Sequence, residues 1–371
     1  MKENLIFGAD ILSFGAVNDG KTDCTKAFEC ALGSNKNLIT VPYGEYLIKK
    51  PLKIGSNTKL HLHPAAKLIF DVDWTDISGN DCALISNADG ACSVIISGGT
   101  WIVKNGAQNK NTCIFGFNST ENIRINDAVI KLESLRGIFL KEVKDFRIEN
   151  LRFVCDTDTT LPAVISDSCQ SGSVRNLSYS CTKMPSENSG VIEFYGKNSG
   201  IFINNAHFDS APSFVRVKDS AVLDDIQIYS LSGSFGYGVL DVCKDCNVEY
   251  ALICDIDAFC ITATPMSAYF RLCGKLDTLV IENFKRDSFR EALPAVPSAI
   301  TENTETDLII DGLMLDEIIN AKACSKIKSM LPARLSNPHG KFVYTLETSL
   351  DKNDSFVIPN GSFDSFEAAG K

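Results

Sequence analysis

The chain has 371 residues, 44% of them hydrophobic and 22% charged, with a formal net charge of −10. That length exceeds an ordinary compact domain, so it calls for several domains or for a solenoid, in which each turn buries its face only against its neighbours. The acidic balance argues against a general nucleic-acid or membrane-surface binder, and an acidic polymer would be repelled unless basic residues cluster locally.

From the N-terminus, Met1 to Val17 shows no basic region followed by an apolar run, so no signal peptide is read. No stretch approaches the length of a membrane-spanning helix. FGAVNDGKTDCTKAFECAL (14–32) follows, where Thr22 or Asp23 can N-cap a short helix, Cys24 to Leu32, ended by Gly33. Asp19 and Asp23 are read as turn and cap chemistry. Short apolar segments come next, at 38–54, 58–72 and 93–105.

The middle of the chain repeats itself. Similar segments start at Cys113, Gly137, Ala163, Gly190, Ser213 and Gly238, separated by 24, 26, 27, 23 and 25 residues. Each holds a short strand, a polar turn, then two further short strands. Turns of the form Asn/Asp-x-x-Ile recur at Asn122 to Ile125, Asp145 to Ile148 and Asn198 to Ile201. Apolar residues alternate with period two rather than 3.6, and the leucine-asparagine signature of leucine-rich repeats is absent. The pattern predicts an all-β fold, a right-handed parallel β-helix with about 4.8 Å between coils.

Weaker coils follow at 259–274, 277–284 and 307–317, with a proline-containing loop over 290–307. Apolar residues at helical spacing over 315–331 predict a C-terminal capping helix, and 342–366 an irregular tail. The expected organisation is one β-helix domain: an N-terminal cap over 1–35, coils over 36–317, and a cap and tail over 318–371.

The 14 cysteines mostly lie in apolar strand patterns: Cys82, Cys92, Cys113, Cys155, Cys181, Cys254, Cys260 and Cys273. Cys243 and Cys246 make a C-x-x-C without a second pair at zinc spacing. They read as buried thiols of a reducing compartment, which favours the cytoplasm and leaves a secreted or phage-particle location open.

The opening FGAVNDGKTD, followed by VPYGEY at 41–46, resembles the start of the pectate-lyase-like β-helix superfamily. The nearest branch by appearance is the polygalacturonase-like glycoside hydrolases, and phage tailspikes share the opening. That resemblance implies a capping helix, a β-helix and a carbohydrate substrate. Of the hydrolase motifs, Val215-Arg216-Val217-Lys218 matches the Arg-x-Lys strand, and Cys155-Asp156-Thr157-Asp158 stands where Asn-Thr-Asp is expected. The Asp-Asp pair is not matched at the expected place, and the Gly-His-Gly is absent.

Aligning the repeats gives an independent expectation. The outward position of the first strand reads Gly116, Leu140, Ser166, Glu193, Arg216 and Asp241; two residues on, it reads Asn118, Glu142, Ser168, Tyr195, Lys218 and Cys243. The intervening Phe115, Phe139, Ile165 and Ile192 should form an inward ladder. Glu193 and Asp241 then lie about 9.6 Å apart at the backbone, within side-chain reach of the about 6.5–9.5 Å separation of an inverting glycosidase. Arg216 and Lys218 would bind a substrate carboxylate and Tyr195 would stack on a sugar, with Asp167 joining if the register slips. The same line can also be a charge ladder tying neighbouring coils together. Asp156, Asp158, Asp255 and Asp257 read as turn residues, with Ca²⁺ for a lyase as the alternative. Trp74 and Trp101 are candidates to line a sugar cleft, Trp101 also for the core.

The expectation is therefore a glycoside hydrolase acting on an acidic, uronic-acid-containing polysaccharide or oligosaccharide. The alternatives are a polysaccharide lyase or a non-catalytic, virion-associated glycan-binding β-helix. No metal or cofactor motif is read, and no nucleic-acid or membrane partner. The chain is expected as a monomer or homo-oligomer, a trimer included.

Overall fold

The computed structural model describes residues 8–328 apart from 35, 74–82, 105–111, 133–134, 157–160, 183–188, 263–266, 287–298, 302–306, 311–319 and 322–325. The chain divides into two compact units, Met1–Lys183 and Met184–Lys371. Both are built as a right-handed parallel β-helix, each strand pairing in parallel with its equivalent one coil away. Among the described residues no helix is long and apolar enough to cross a membrane.

In the first unit, strand Ala9–Asp10, a 3-10 turn at Ile11–Phe14 and strand Asp19–Asp23 lead into the helix Thr25–Leu32. The helix starts one residue later than expected, with Cys24 at the N-cap position, and Asp23 just before it accepts hydrogen bonds from the Thr25 N–H (3.0 Å) and hydroxyl (2.6 Å). Asp19 binds the backbone N–H groups of Thr22 and Lys21, and these bonds lower its carboxyl pKa. The helix buries Ala27, Phe28, Ala31 and Leu32, with the Phe28 ring edge-on to Tyr46.

Sharp corners separate the strands, and they explain the recurring polar residues. Asn122, Asp145 and Ser171 occupy equivalent places in successive coils, with φ of 57°, 51° and 55°. Asp127, Asn150 and Asn176 form another such column at 59°, 56° and 53°. In the second unit Asn205, Ser230 and Asp255 repeat it at 55°, 57° and 57°. The left-handed region is costly for most L-residues and least so for Asn, Asp and Gly, so Asn and Asp fill most of these corners, with Ser at 171 and 230. Asn176 donates to Asn150 Oδ1, and Asn150 to Asp127 Oδ1, both at 2.8 Å, so one corner column is also a side-chain ladder. Asn150→Ala is expected to cost about 1–3 kcal/mol through the lost ladder bonds and the strained φ. Asn150→Gly, which relieves the strain, should cost less; denaturant unfolding of the two variants checks the order.

Apolar columns fill the interior. Phe115 stacks with Ile138 and then Val164; Ile125 with Ile148 and Val174. In the second unit Ile203, Ile228 and Ile253 form one column, and Val217, Val242 and Leu272 another. Trp101 is fully buried, 4.7 Å from the Phe115 ring centroid, and donates from Nε1 to the Gly98 carbonyl, so it is core rather than cleft wall. Gly172 sits over the Phe146 ring, where an added Cβ would meet ring carbon at 2.0 Å. Cys113, Cys155, Cys181, Cys254 and Cys260 are buried as small apolar residues of these strands.

Two expectations need correcting. The inward ladder of Phe115, Phe139, Ile165 and Ile192 does not form, because Phe115 pairs with Ile138 while Phe139 pairs with Gly116 and Ile165. Cys113 is matched by Arg136, not Gly137. This one-residue slip moves side chains to the other face of the strand. Leu140, expected outside, is fully buried. The predicted C-terminal helix is also not observed where residues are described: Asn320–Ala321 and Lys326–Lys328 are strands, the latter paired to Asp307–Ile309. Ile327 alternates with two lysines, a period-two pattern that suits a strand edge. Trp74, Asp158 and the tail over 342–366 lie outside the described residues.

Candidate active site

The column from Glu193 to Asp241 lies within the second unit and has the register expected from the repeats. Strand Ile192–Tyr195 pairs Glu193 with Arg216 on strand Lys197–Val217, and Arg216 pairs with Asp241 on strand Val222–Val242. Asp241 then pairs with Arg271 on strand Phe270–Leu272. The neighbours on each strand are core residues: Ile192 and Phe194, Val215 and Val217, Leu240 and Val242. Alternation therefore turns the charged residues to the opposite face.

That face is covered. Glu193 and Asp241 are each only 1% exposed, whereas the repeat pattern implied outward, solvated carboxylates. Alternation shows which face a residue takes, not what packs over it. Part of the cover is Gly190, whose N–H donates to Glu193 Oε1 at 3.0 Å. A Cβ at Gly190 would meet the Arg216 Cβ at 2.7 Å, so only glycine fits flush against that side chain.

Each carboxylate has its own partners. Glu193 Oε2 accepts from the Tyr195 hydroxyl at 2.7 Å and lies 3.1 Å from Lys218 Nζ. Lys218 Nζ also sits 5.1 Å from the Tyr195 ring centroid, a cation–π contact. Asp241 Oδ2 lies 3.3 Å from both Arg216 Nε and Arg271 Nη1. Arg216 also donates from Nη2 to Cys243 Sγ at 3.6 Å. Two carboxylates and two guanidinium groups thus share one column, with Lys218 from the column beside it, in a chain that is acidic overall.

Burial pushes the Asp241 carboxyl above its ordinary value, with the Glu193 charge adding to the rise, against the opposing pull of Arg271 and Arg216. Burial, then the charge of Asp241, also raises the Cys243 thiol. A buried acid with an elevated pKa beside a second, hydrogen-bonded carboxylate is the kind of pairing that separates proton donor from proton acceptor.

Of the sequence-predicted residues, the structure gathers Glu193, Tyr195, Arg216, Lys218 and Asp241. Asp167 belongs to the first unit, where it is half-buried, pairs in register with Lys141 and accepts from the Ser168 hydroxyl. Asp156 is exposed, and Asp255 is a corner residue at positive φ. Arg271 and Gly190 were missed. Arg271 carries a legible signal, since Phe270-Arg271-Leu272-Cys273 repeats the apolar-charged-apolar pattern of Val215-Arg216-Val217-Lys218. The coil before it is longer, 30 residues from Asp241 against 25 from Arg216 to Asp241, which hid the period.

A family model described as rhamnogalacturonase A/epimerase, pectate lyase-like, matches residues 9–66. The pre-neck appendage protein of Bacillus phage B103 is 42% identical over 52 residues, which is 14% of this chain and 6% of that protein. The surface protein and adhesin PfbA of Streptococcus pneumoniae has a similar fold, with a TM-score of 0.57 at 16% identity, over 87% of this chain and 96% of that one. A hyperthermoactive exopolygalacturonase from Thermotoga maritima superposes with a TM-score of 0.53 at 12% identity, over 83% of each chain. At such identities the two structures speak for the fold alone, and the family match is confined to the first coils. The coil register and the two structural likenesses make the chain a right-handed parallel β-helix, and its likeness to the pectate-lyase-like family model is confined to residues 9–66.

Proposed function

We propose that this chain hydrolyses an acidic, uronic-acid-containing glycan, with Asp241 as general acid and Glu193 as general base. The observation that carries the reading is the elevated Asp241 carboxyl two coils from a second buried carboxylate, with three cations paired to the two acids. The protonated Asp241 gives its proton to the leaving glycosidic oxygen, and Glu193 takes a proton from the attacking water. Lys218, Arg216 and Arg271 are more solvent-facing than the acids, with side chains 21%, 11% and 11% exposed against 1% for Glu193 and 2% for Asp241. A substrate carboxylate meets these cations first and, by taking over their ion pairs, uncovers the acids beneath. Tyr195 holds Glu193 and offers its ring to a sugar face.

A second reading is favoured by the 1% exposure of both carboxylates. On it, the column is a buried ion-pair ladder in a non-catalytic glycan-binding β-helix. The short match to a phage appendage protein favours a virion-associated setting for that reading, and an oligomeric assembly with it.

Incubation with a panel of uronic-acid oligosaccharides, with products weighed by mass spectrometry, tests the proposal. Fragments that have gained one water are expected. Unsaturated, ultraviolet-absorbing products would replace the hydrolase by a lyase, and binding without any product would leave the ladder reading.

A further inference from the structure

The outer column that runs beside the charged one carries a second chemistry. Lys218 N donates to the Phe194 carbonyl, Cys243 N to the Val217 carbonyl (2.9 Å) and Cys273 N to the Val242 carbonyl (2.9 Å). The three residues therefore hold one position in three successive coils. Cys243 and Cys273 follow the core residues Val242 and Leu272, themselves register partners, so both thiols leave the strands on the same outer face, where both are half-buried. Adjacent parallel strands lie about 4.8 Å apart, within the about 4.4–6.8 Å Cα window of a disulfide. Cys155 and Cys181 show the same cross-coil juxtaposition in the first unit, but sealed in the core. Cys246 is the competing partner: its N–H closes a turn onto the Cys243 carbonyl at 3.1 Å, yet the residue is 2% exposed.

We propose that Cys243 and Cys273 are a thiol modification site that closes, under a disulfide oxidant, into a covalent staple between two coils. The Cys243 thiolate attacks oxidised glutathione and displaces one glutathione thiolate; the Cys273 thiolate then attacks the mixed disulfide and displaces the second. Two protons leave the protein, and its two electrons reduce one oxidised glutathione to two thiols. The staple ties the strand bearing Asp241 to the strand bearing Arg271 and withdraws the Cys243 sulfur from Arg216. Burial and the Asp241 charge hold the Cys243 thiol up, so the reaction is slow at neutral pH and quickens in mild alkali. The inference does not rest on the glycan reading.

The native chain is incubated with oxidised glutathione, quenched with N-ethylmaleimide and mapped by mass spectrometry without reduction. The expected result is a peptide pair joining Cys243 to Cys273, absent in Cys273→Ser, with the unfolding midpoint raised by about 5 °C and restored by reduction. A Cys243–Cys246 link would overturn the inference. So would Cys243 and Cys273 that stay alkylated or carry glutathione without joining.

Discussion

Glu193→Gln is expected to lower turnover on a cleaved uronate oligosaccharide by about 10²–10⁴-fold, the usual effect of losing a general base. Glutamine keeps the shape of the side chain and one oxygen to accept from the Gly190 N–H, while its NH2 replaces Oε2 and donates to a Tyr195 hydroxyl that turns to accept. Lys218 loses its counter-charge but retains access to water. The stability loss should therefore stay near about 1–3 kcal/mol. Glu193→Ala removes the acceptor as well and should cost about 3–5 kcal/mol, as for other broken buried pairs. An exposed ladder would have made either loss nearly free; at 1% exposure it does not, so stability alone cannot separate the two readings. Turnover per folded molecule does. If Glu193→Gln and Asp241→Asn both fold and both retain near-full turnover, the column is structural and catalysis lies elsewhere.

The second large effect is on pH dependence. A general acid works only while protonated, so kcat/KM should fall as pH rises through the elevated Asp241 pKa. Asp241→Asn should flatten that limb at a rate lower by about 10²-fold or more. Stability must move in the same sense. With the folded value raised above the ordinary 3.8, the neutral carboxyl suits the fold better than the ionised one. Its stabilising contribution is complete below the unfolded value and disappears as pH rises through the folded value. The stability of the native chain relative to Asp241→Asn should then decline as pH is raised from the ordinary aspartate range, by denaturant unfolding at each pH. A margin that widens with pH would mean that Arg216 and Arg271 keep the carboxylate charged, and Asp241 would no longer serve as the acid.

Much of the fold was legible because it is local and repeated. The corner residues Asn122 and Asp145 recur since each coil needs a left-handed residue at the same bend, and few side chains accept that bend cheaply. The first helix, its buried face and the Asp23 bond to its first N–H follow from spacing alone. The Glu193, Arg216 and Asp241 register was legible for the same reason, as equivalent positions in coils of 23 and 25 residues. Where coil length changed, the repeat misled: one residue at Gly137 displaced the expected inward ladder, and a longer coil concealed Arg271.

The sequence by itself determined the period, the corners, the vertical order of the charges and, in the coils from Glu193 to Asp241, the strand faces. All are set by backbone geometry acting within one coil or between neighbours. Only the tertiary structure decided that the charged face is covered, that Gly190 reaches over Arg216 to bind Glu193, and that Asp241 sits between two guanidinium groups. Those outcomes depend on which side chains and loops from separate coils pack together, and desolvation is a property of that packing, not of any one segment.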